Sequence, residues 1–388
     1  MKIAFVSEHF YPYFKGGAEK RFYEIAARLS RAGHDVHWYA GKDWRGADDM
    51  TVRGIHYHGI VQNRSHYTST GRRSIIRAVF YGVQWIYRIR EVNRLAFDLV
   101  NCSVYPFFHC FVFKLLLRRR TRFVITWYEF WGDYWYRYLG ILGVFGKFIE
   151  SVVLKMPDAM IAVSENVFRK LTMTNKKRIP VQLIPNGVDV DLIRKVKPSG
   201  LSSDMIYVGR LKNHKNVDVL LQTVKWLKET RPNLRLLIVG DGPEMGNLRR
   251  LVHDLNIDSA VRFTGPVDSD AEVFSLIKSS KVFVHPSSKE GGGSLTLLEA
   301  NACGRPVIAF RSELGIDENL ISNGMNGYWV DDLRPESFAR TINAVLGNDL
   351  QLSKMTESSM SFARKYSWSN ICAKDINYYK EIMSNEKN

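Results

Sequence analysis

Cysteine is scarce in this chain. Its four cysteines, Cys102, Cys110, Cys303 and Cys372, have no metal-ligand spacing and fit a reducing compartment. Long apolar runs are missing too. The nearest, Tyr138 to Leu154, is broken by Lys147 and Glu150, which argues against a spanning helix. No secretory leader is visible, since residues 1–8, Met-Lys-Ile-Ala-Phe-Val-Ser-Glu, read as a first strand. The turn after that strand lacks a G-x-G-x-x-G pattern, which disfavours a dinucleotide oxidoreductase. No pair of aspartates lies between two apolar strands as a metal site would require. Asp48-Asp49 sits in a polar loop, and Asp331-Asp332 follows the strand-like Tyr-Trp-Val.

What is present is an ordinary globular composition, 45% hydrophobic and 24% charged, spread over 388 residues. That length is too great for one typical core, so two domains are expected. The net charge of +16 is unevenly placed. Residues 1–200 carry 32 Lys+Arg against 16 Asp+Glu, and residues 201–388 carry 23 of each. Residues 64–122 hold twelve basic and two acidic residues, interleaved with aromatics from Tyr67 to Phe113. Basic plus aromatic suggests an anionic membrane surface or a lipid-phosphate partner; a plain solvated face is the bland alternative. Nucleic acid attracts the same charge, but no recognised nucleic-acid motif accompanies it, so none is expected as a partner.

The pattern along the chain alternates strand and helix. Ile3–Val6, a glycine turn, a helix over about 18–32 closed by Gly33, and strand Val36–Tyr39 make a βαβ start. Further strands are expected at 97–101, 123–127, 159–163 and 181–184, and helices at 72–92, 107–117, 137–154 and 164–172. The polar stretch Lys195–Ser203 reads as the domain linker. A second series then begins at Met205, with helices at 217–229, 244–255, 270–278 and 294–302 between strands. This predicts an α/β chain of two doubly wound domains facing a cleft. The domains expected are 1–198 and 199–365. Residues 366–388 form a terminal helix with a Trp368 anchor that crosses back to the first domain.

Several turns could carry chemistry. Glu290-Gly291-Gly292-Gly293-Ser294-Leu295 leads into a helix that contains Glu299. Exposed N–H groups at such a helix start favour an anion, and flanking glutamates can accept hydrogen bonds from hydroxyls. A phosphorylated, hydroxyl-rich molecule suits both features, and a nucleotide sugar is one. In Val208-Gly209-Arg210-Leu211-Lys212-Asn213-His214-Lys215, the cations Arg210 and Lys215 can neutralise a diphosphate leaving group, the work a divalent ion does elsewhere. Gly16-Gly17-Ala18-Glu19 lets a phosphate or sugar approach the backbone. Val239-Gly240-Asp241-Gly242-Pro243-Glu244 reads as a strand-to-helix turn with a structural role. Trp127 and Glu129 lie in an aromatic strand end that would suit a sugar, with a packed core edge as the alternative. His9 and His109 fall near strand ends and could line the cleft, or sit in the core.

Taken in order, GGAEK at 16–20, VSENVF at 163–168, IPNGVD at 184–189, VGRLKNHKN at 208–216, VGDGPE at 239–244 and EGGGSLTLLEANACGRPVI at 290–308 resemble the retaining glycosyltransferases of family 4. The resemblance covers nearly the whole chain. It implies a GT-B fold, a UDP-, GDP- or similar sugar donor on the second domain, an acceptor on the first, and no metal or other cofactor. On that resemblance Arg210 and Lys215 bind the diphosphate, Glu299 the ribose, and Glu290 the transferred sugar. Gly17 packs near the phosphates, and Ser294 and Leu295 contact them. Two departures stand out. The family's paired glutamates have seven residues between them, and here there are eight, so Glu290 is either kept in place by a bulged turn or swung away. Tyr128 stands where the family presents a histidine, and a phenol is a poor base near neutral pH.

The function expected is transfer of a sugar, with retention, to a hydroxyl of a glycan or lipid-linked acceptor in cell-surface polysaccharide, glycolipid or glycoprotein glycan synthesis. The expected location is the cytoplasm, peripheral at the inner face of its membrane. A non-catalytic nucleotide-sugar or glycan binding protein is the alternative.

Overall fold

The computed structural model describes residues 1–62, 74–291 and 293–384. Contacts divide it into two units, Met1–Pro185 with Ser369–Asn388, and Asn186–Trp368. The boundary thus falls before residue 198, because the polar stretch expected as a linker is bound to the second unit. Lys278 Nζ donates to the carbonyls of Ile193 and Val196, at 2.5 and 2.7 Å, and Ser275 Oγ to that of Lys197, at 2.8 Å.

Among the described residues the first unit is built on eight strands: β1 (Lys2–Val6), β2 (Asp35–Lys42), β3 (Asp49–Val52), β4 (Ile55–Gln62), β5 (Leu99–Ser103), β6 (Arg122–Trp127), β7 (Ala159–Ala162) and β8 (Val181–Leu183). Their order is β3-β4-β2-β1-β5-β6-β7-β8, and every pairing is parallel except β3 with β4. The central strand β1 is apolar beyond Lys2, as a strand covered on both faces tends to be, and Ile3, Ala4, Phe5 and Val6 are fully buried. The hairpin β3–β4 falls where a polar loop was expected.

The second unit has six parallel strands: β9 (Ser203–Val208), β10 (Leu236–Val239), β11 (Val261–Gly265), β12 (Ser280–His285), β13 (Val307–Phe310) and β14 (Gly327–Val330). Their order is β11-β10-β9-β12-β13-β14. The direction of winding reverses between β9 and β12, which sets the carboxyl ends of those two strands at the switch point where such sheets bind ligands.

Helix breaks follow the glycines and the caps. The stretch expected as one helix over 137–154 is Tyr134–Leu139 and Gly143–Val153, interrupted at Gly140, whose φ is +61°. The tail is two helices, Asp349–Arg364 and Trp368–Ser384. The second lies on the first unit, where Tyr378 Oη donates to the carbonyls of Met160 and Pro180 and Asn101 Nδ2 donates to Tyr379 Oη. Arg21, fully buried, holds both carboxylate oxygens of the buried Asp375 at 3.2 Å.

Candidate functional site

In the second unit the turns after β9 and β12 are bound together by backbone. The His214 carbonyl accepts from Ser288 N at 3.0 Å and Ser287 Oγ at 3.2 Å, and Asn216 Nδ2 donates to the Pro286 carbonyl at 2.9 Å. The turn after β10 closes the other side. Leu211 N donates to the Asp241 carbonyl, and Gly240 lies so close that a Cβ there would meet the Gly209 carbonyl oxygen at 2.1 Å. With φ at +131° as well, Gly240 admits no side chain, which gives Val239–Glu244 the structural role its sequence suggested.

These turns bring Lys215 and Glu290 into an ion pair between mostly buried side chains. His285, the last residue of β12, completes the cluster with Nε2 3.0 Å from the same Glu290 oxygen. Burial by itself raises the Glu290 carboxyl, but His285 and Lys215 outweigh it and hold the group well below the usual carboxylate range. His214 is pushed down to about 4 by burial and then by Lys215, so it is neutral at pH 7. With eight residues between the glutamates, Glu290 lies against Lys215 and His285. Glu290 N donates to the Leu314 carbonyl at 2.8 Å, and Gly291 takes a left-handed φ of +63° immediately after it. Gly292 lies outside the described residues.

The helix Leu295–Ala302 follows Glu290 in the chain. Ser294 is its N-cap but makes no capping bond, and its hydroxyl instead lies 3.1 Å from Thr296 Oγ1. First-turn N–H groups, Leu295 among them, have no intrahelical partner and are available to an anion. Gly293 is positioned through its carbonyl, which accepts from Asn186 Nδ2 at 3.3 Å. Glu299 is buried on the same helix. Arg210 is exposed next to Gly209 and forms no ion pair among the described residues. The Arg210 carbonyl accepts from Tyr207 Oη at 3.2 Å. The site is thus one exposed guanidinium, one ammonium balanced by a carboxylate, and a helix start.

In the first unit the turn after β1 runs into the helix Gly17–Arg31. Gly16 is its N-cap, and Glu19 folds back over it, so a Cβ there would lie 2.0 Å from Glu19 Oε2. Tyr128, just past β6, faces this helix start. Its hydroxyl is 3.4 Å from the Ala18 carbonyl, and its ring packs edge-on against Phe22. Burial pushes the phenol up, so Tyr128 can donate but not act as a base. His9 is stacked on Phe14 with Nδ1 3.6 Å from Asp43 Oδ1. Burial alone would lower it, but Asp43 and Glu8 raise it. Glu129 accepts from Trp131 Nε1.

Two expected acceptor-side residues are core instead. Trp127 is fully buried, because β6 lies between β5 and β7 with a helical layer over it, and it offers no surface to a sugar. His109 is fully buried in the helix Phe108–Leu116. Its Nε2 lies 2.9 Å from the Ser103 carbonyl, and burial lowers it to about 4. Sequence reasoning took His285 for a core or rim residue and gave Asn186 no role of its own. His285 had one usable signal, its place as the last residue of an apolar strand running into a glycine turn.

Two family models match consecutive parts of the chain: Glycosyltransferase Family 4 over residues 15–192, and Glycosyl transferases group 1 over residues 191–362. The chain is 35% identical over 191 residues to the D-inositol 3-phosphate glycosyltransferase of Corynebacterium urealyticum, covering 47% of this chain and 44% of that protein. An uncharacterised glycosyltransferase of Methanocaldococcus jannaschii is 28% identical over 249 residues, 61% of each. The chain thus spans about half the length of the curated relatives it matches, 61% and 44% for these two. Among solved structures, sucrose-phosphate synthase from Thermosynechococcus elongatus superposes with a TM-score of 0.81 at 19% identity, covering 99% of each chain. The Anabaena protein HepE in complex with UDP superposes with 0.74 at 15% identity, covering 98% of this chain and 100% of that one. At these identities the likeness is one of fold, two Rossmann-like α/β domains of the GT-B type.

Proposed function

The chain belongs to the glycosyltransferases of family 4, and we propose that it moves a sugar from a nucleotide-sugar donor to a hydroxyl of a glycan or lipid-linked acceptor, with retention of anomeric configuration. The observation that carries this reading is the Lys215–Glu290 ion pair on the turns that follow β9 and β12, with Arg210 on the first of these turns and the Ser294 helix start at the end of the second. A sugar diphosphate has the charge and the hydroxyls to engage all four. Its phosphates draw Lys215 from Glu290, and the freed carboxylate accepts hydrogen bonds from the sugar hydroxyls. Buried Glu299 receives the ribose.

The bond between the anomeric carbon and the phosphate oxygen then breaks. The acceptor oxygen bonds to the anomeric carbon from the same face, and its proton passes to the leaving phosphate oxygen. Arg210, Lys215 and the helix start stabilise the charge that develops there, which is the work proposed for side chains in place of a metal. Gly17 and neutral Tyr128 lie on the acceptor side, where Tyr128 can orient a hydroxyl but does not take its proton.

The acceptor is proposed to lie at an anionic membrane surface on the cytoplasmic side. No helix among the described residues is long and apolar enough to cross a membrane. Support for surface contact comes from exposed apolar side chains set among basic ones. Ile76, Phe80 and Tyr87 lie on the helix Ile75–Leu95 with Arg77, Arg90 and Arg94, and Leu115 precedes Arg118–Arg120. Part of the basic segment, including Arg64, Tyr67, Arg72 and Arg73, lies outside the described residues.

The test is a donor panel. Purified protein is given UDP-, GDP-, ADP- and TDP-sugars in EDTA, and nucleotide release is followed with and without membrane extract. UDP comes first because the HepE complexes include UDP and UDP-glucose. Release from one donor that rises with extract supports the reading. Specific donor binding with no release under either condition points to a binding protein instead.

A further inference from the structure

At the other end of the first sheet, away from the glycine turn, three ligand-type side chains share one face. Asp35 and His37 are two residues apart on β2, and His56 is the direct register partner of His37 on β4. One ligand atom from each lies within 4.8 Å of the others. His37 Nε2 is 3.1 Å and His56 Nε2 3.8 Å from the same Asp35 oxygen, Oδ1. Ligands at about 2.0–2.1 Å from a tetrahedral ion lie roughly 3.3 Å apart, so these separations bracket the requirement.

The surrounding hydrogen bonds fix which nitrogen of each ring faces inward. His37 Nδ1 lies 2.8 Å from His58 Nε2, and His58 Nδ1 lies 2.9 Å from Asp49 Oδ1. A carboxylate can only accept, so His58 donates from Nδ1 and takes a proton bond at Nε2 from His37 Nδ1. That leaves His37 Nε2 as a bare lone pair. It is buried and, although 3.1 Å from Asp35 Oδ1, makes no hydrogen bond among the described residues, and His37 is only 6% exposed. His56 Nδ1 is held 2.9 Å from Thr51 Oγ1, a hydroxyl that can accept from it, and its Nε2 is turned toward Asp35. Orientation of ligating imidazoles through their second nitrogen is the usual outer support of a metal site. Lys2 Nζ is 3.2 Å from the opposite Asp35 oxygen, Oδ2, so it neutralises part of the carboxylate but leaves Oδ1 to the site.

We propose that Asp35 Oδ1, His37 Nε2 and His56 Nε2 bind a divalent transition-metal ion of the zinc class, with water completing its coordination. Two imidazoles and one carboxylate suit such an ion better than calcium or magnesium. The ion ties β2 to β4, one strand in from the sheet edge. It takes no part in the transfer chemistry, because the glycine turn after β1 and Tyr128 after β6 belong to the opposite, carboxyl ends of these strands. The site is distinct from the donor-binding turns and stands whether or not the chain transfers sugar.

The experiment is titration of untagged, chelator-treated full chain with Zn²⁺ alone, followed by isothermal calorimetry, and with Co²⁺ for its ligand-field absorption. One equivalent is expected to bind, with Co²⁺ giving the intense bands of a four- or five-coordinate site. Asp35→Asn and His56→Ala, both at half-exposed positions, should each weaken binding at least tenfold while leaving circular dichroism unchanged. Thr51→Val should weaken it by about tenfold through loss of the His56 orientation. His253→Ala, on an exposed helix of the other unit, should bind as wild type does. Absence of saturable binding at about 100 times the protein concentration, or unchanged binding in both Asp35→Asn and His56→Ala, overturns the proposal.

Discussion

Lys215 and Arg210 carry the same charge, but their surroundings predict different consequences of losing each. Lys215 is paired with the mostly buried Glu290, whereas Arg210 is exposed and unpaired among the described residues. Alanine at either position should slow transfer about 10²-fold or more if both stabilise charge on the leaving phosphate. Only Lys215→Ala should also cost stability, up to about 3 kcal/mol and read as a lower melting temperature, because it strips a partner from a buried carboxylate that His285 satisfies in part. Near-wild-type kcat in both variants would remove them from the mechanism. Glu290 adds a pH signature. Its folded-state carboxyl is held below its ordinary value of 4.5, so the stability it contributes is complete above that pH and is lost as pH falls toward the folded value. Thermal melts of wild type and Glu290→Gln between about pH 6 and pH 3 should show the steeper loss in wild type. Parallel curves would mean that the ion pair adds nothing. At Tyr128 the exchange to His restores a titratable ring beside the Ala18 carbonyl; a change in kcat with unchanged donor affinity would place position 128 at the reacting centre.

At the scale of elements, the terminal helix Trp368–Ser384 is the most exposed to a single substitution. Asp375 and Arg21 are both fully buried, and the Arg21 guanidinium also donates to the Pro185 carbonyl. Asp375→Ala leaves that cation unpaired and should cost about 3–5 kcal/mol, read in urea melts and as early proteolysis of the helix. Replacing both residues by leucine should recover much of that loss. If the single variant melts as wild type does, the pair does not hold the helix. Much of this architecture was legible because buried parallel strands are apolar throughout and their turns carry glycine. The glycine turn after β12, the helix after it and the pair of cations could be read for the same reason. The hairpin β3–β4 was not. Its turn is Arg53-Gly54, with φ of 53° and 75°, where asparagine or aspartate before glycine is the usual signal, and β3 is an exposed edge strand without apolar alternation. Trp127 and His109 were misplaced for a related reason. A residue type near a strand end says nothing of which side the next layer covers, and helices cover both of these. The Asp35–His37–His56 cluster was invisible because it depends on the register of β2 against β4, which no spacing in the chain records.

The molecule as a whole is asymmetric in charge, since residues 1–200 carry the full excess of +16 and residues 201–388 balance to zero. Charge alone attracts a protein to an anionic surface only within a Debye length, about 10 Å at 0.1 M salt, and each basic residue near the surface contributes roughly 1 kcal/mol. An interaction built from charge alone therefore disappears as salt rises. This chain has a second component. Ile141, Leu142, Phe145 and Phe148 are all more than 60% exposed, on or beside the helix Gly143–Val153, and Lys147 lies among them. Such side chains gain by leaving water whatever the salt concentration. Binding to vesicles containing about 30% anionic lipid should fall as salt rises from about 0.05 M but level off above zero, at the part the apolar side chains supply. Phe145→Ser with Phe148→Ser should lower that remainder and leave the low-salt binding mostly intact. Charge reversal at Arg118–Arg120 should do the opposite. Equal binding to neutral and anionic vesicles, or none to either at low salt, would separate this charge from membranes and return the basic face to a solvated surface, with the acceptor then sought among soluble glycans.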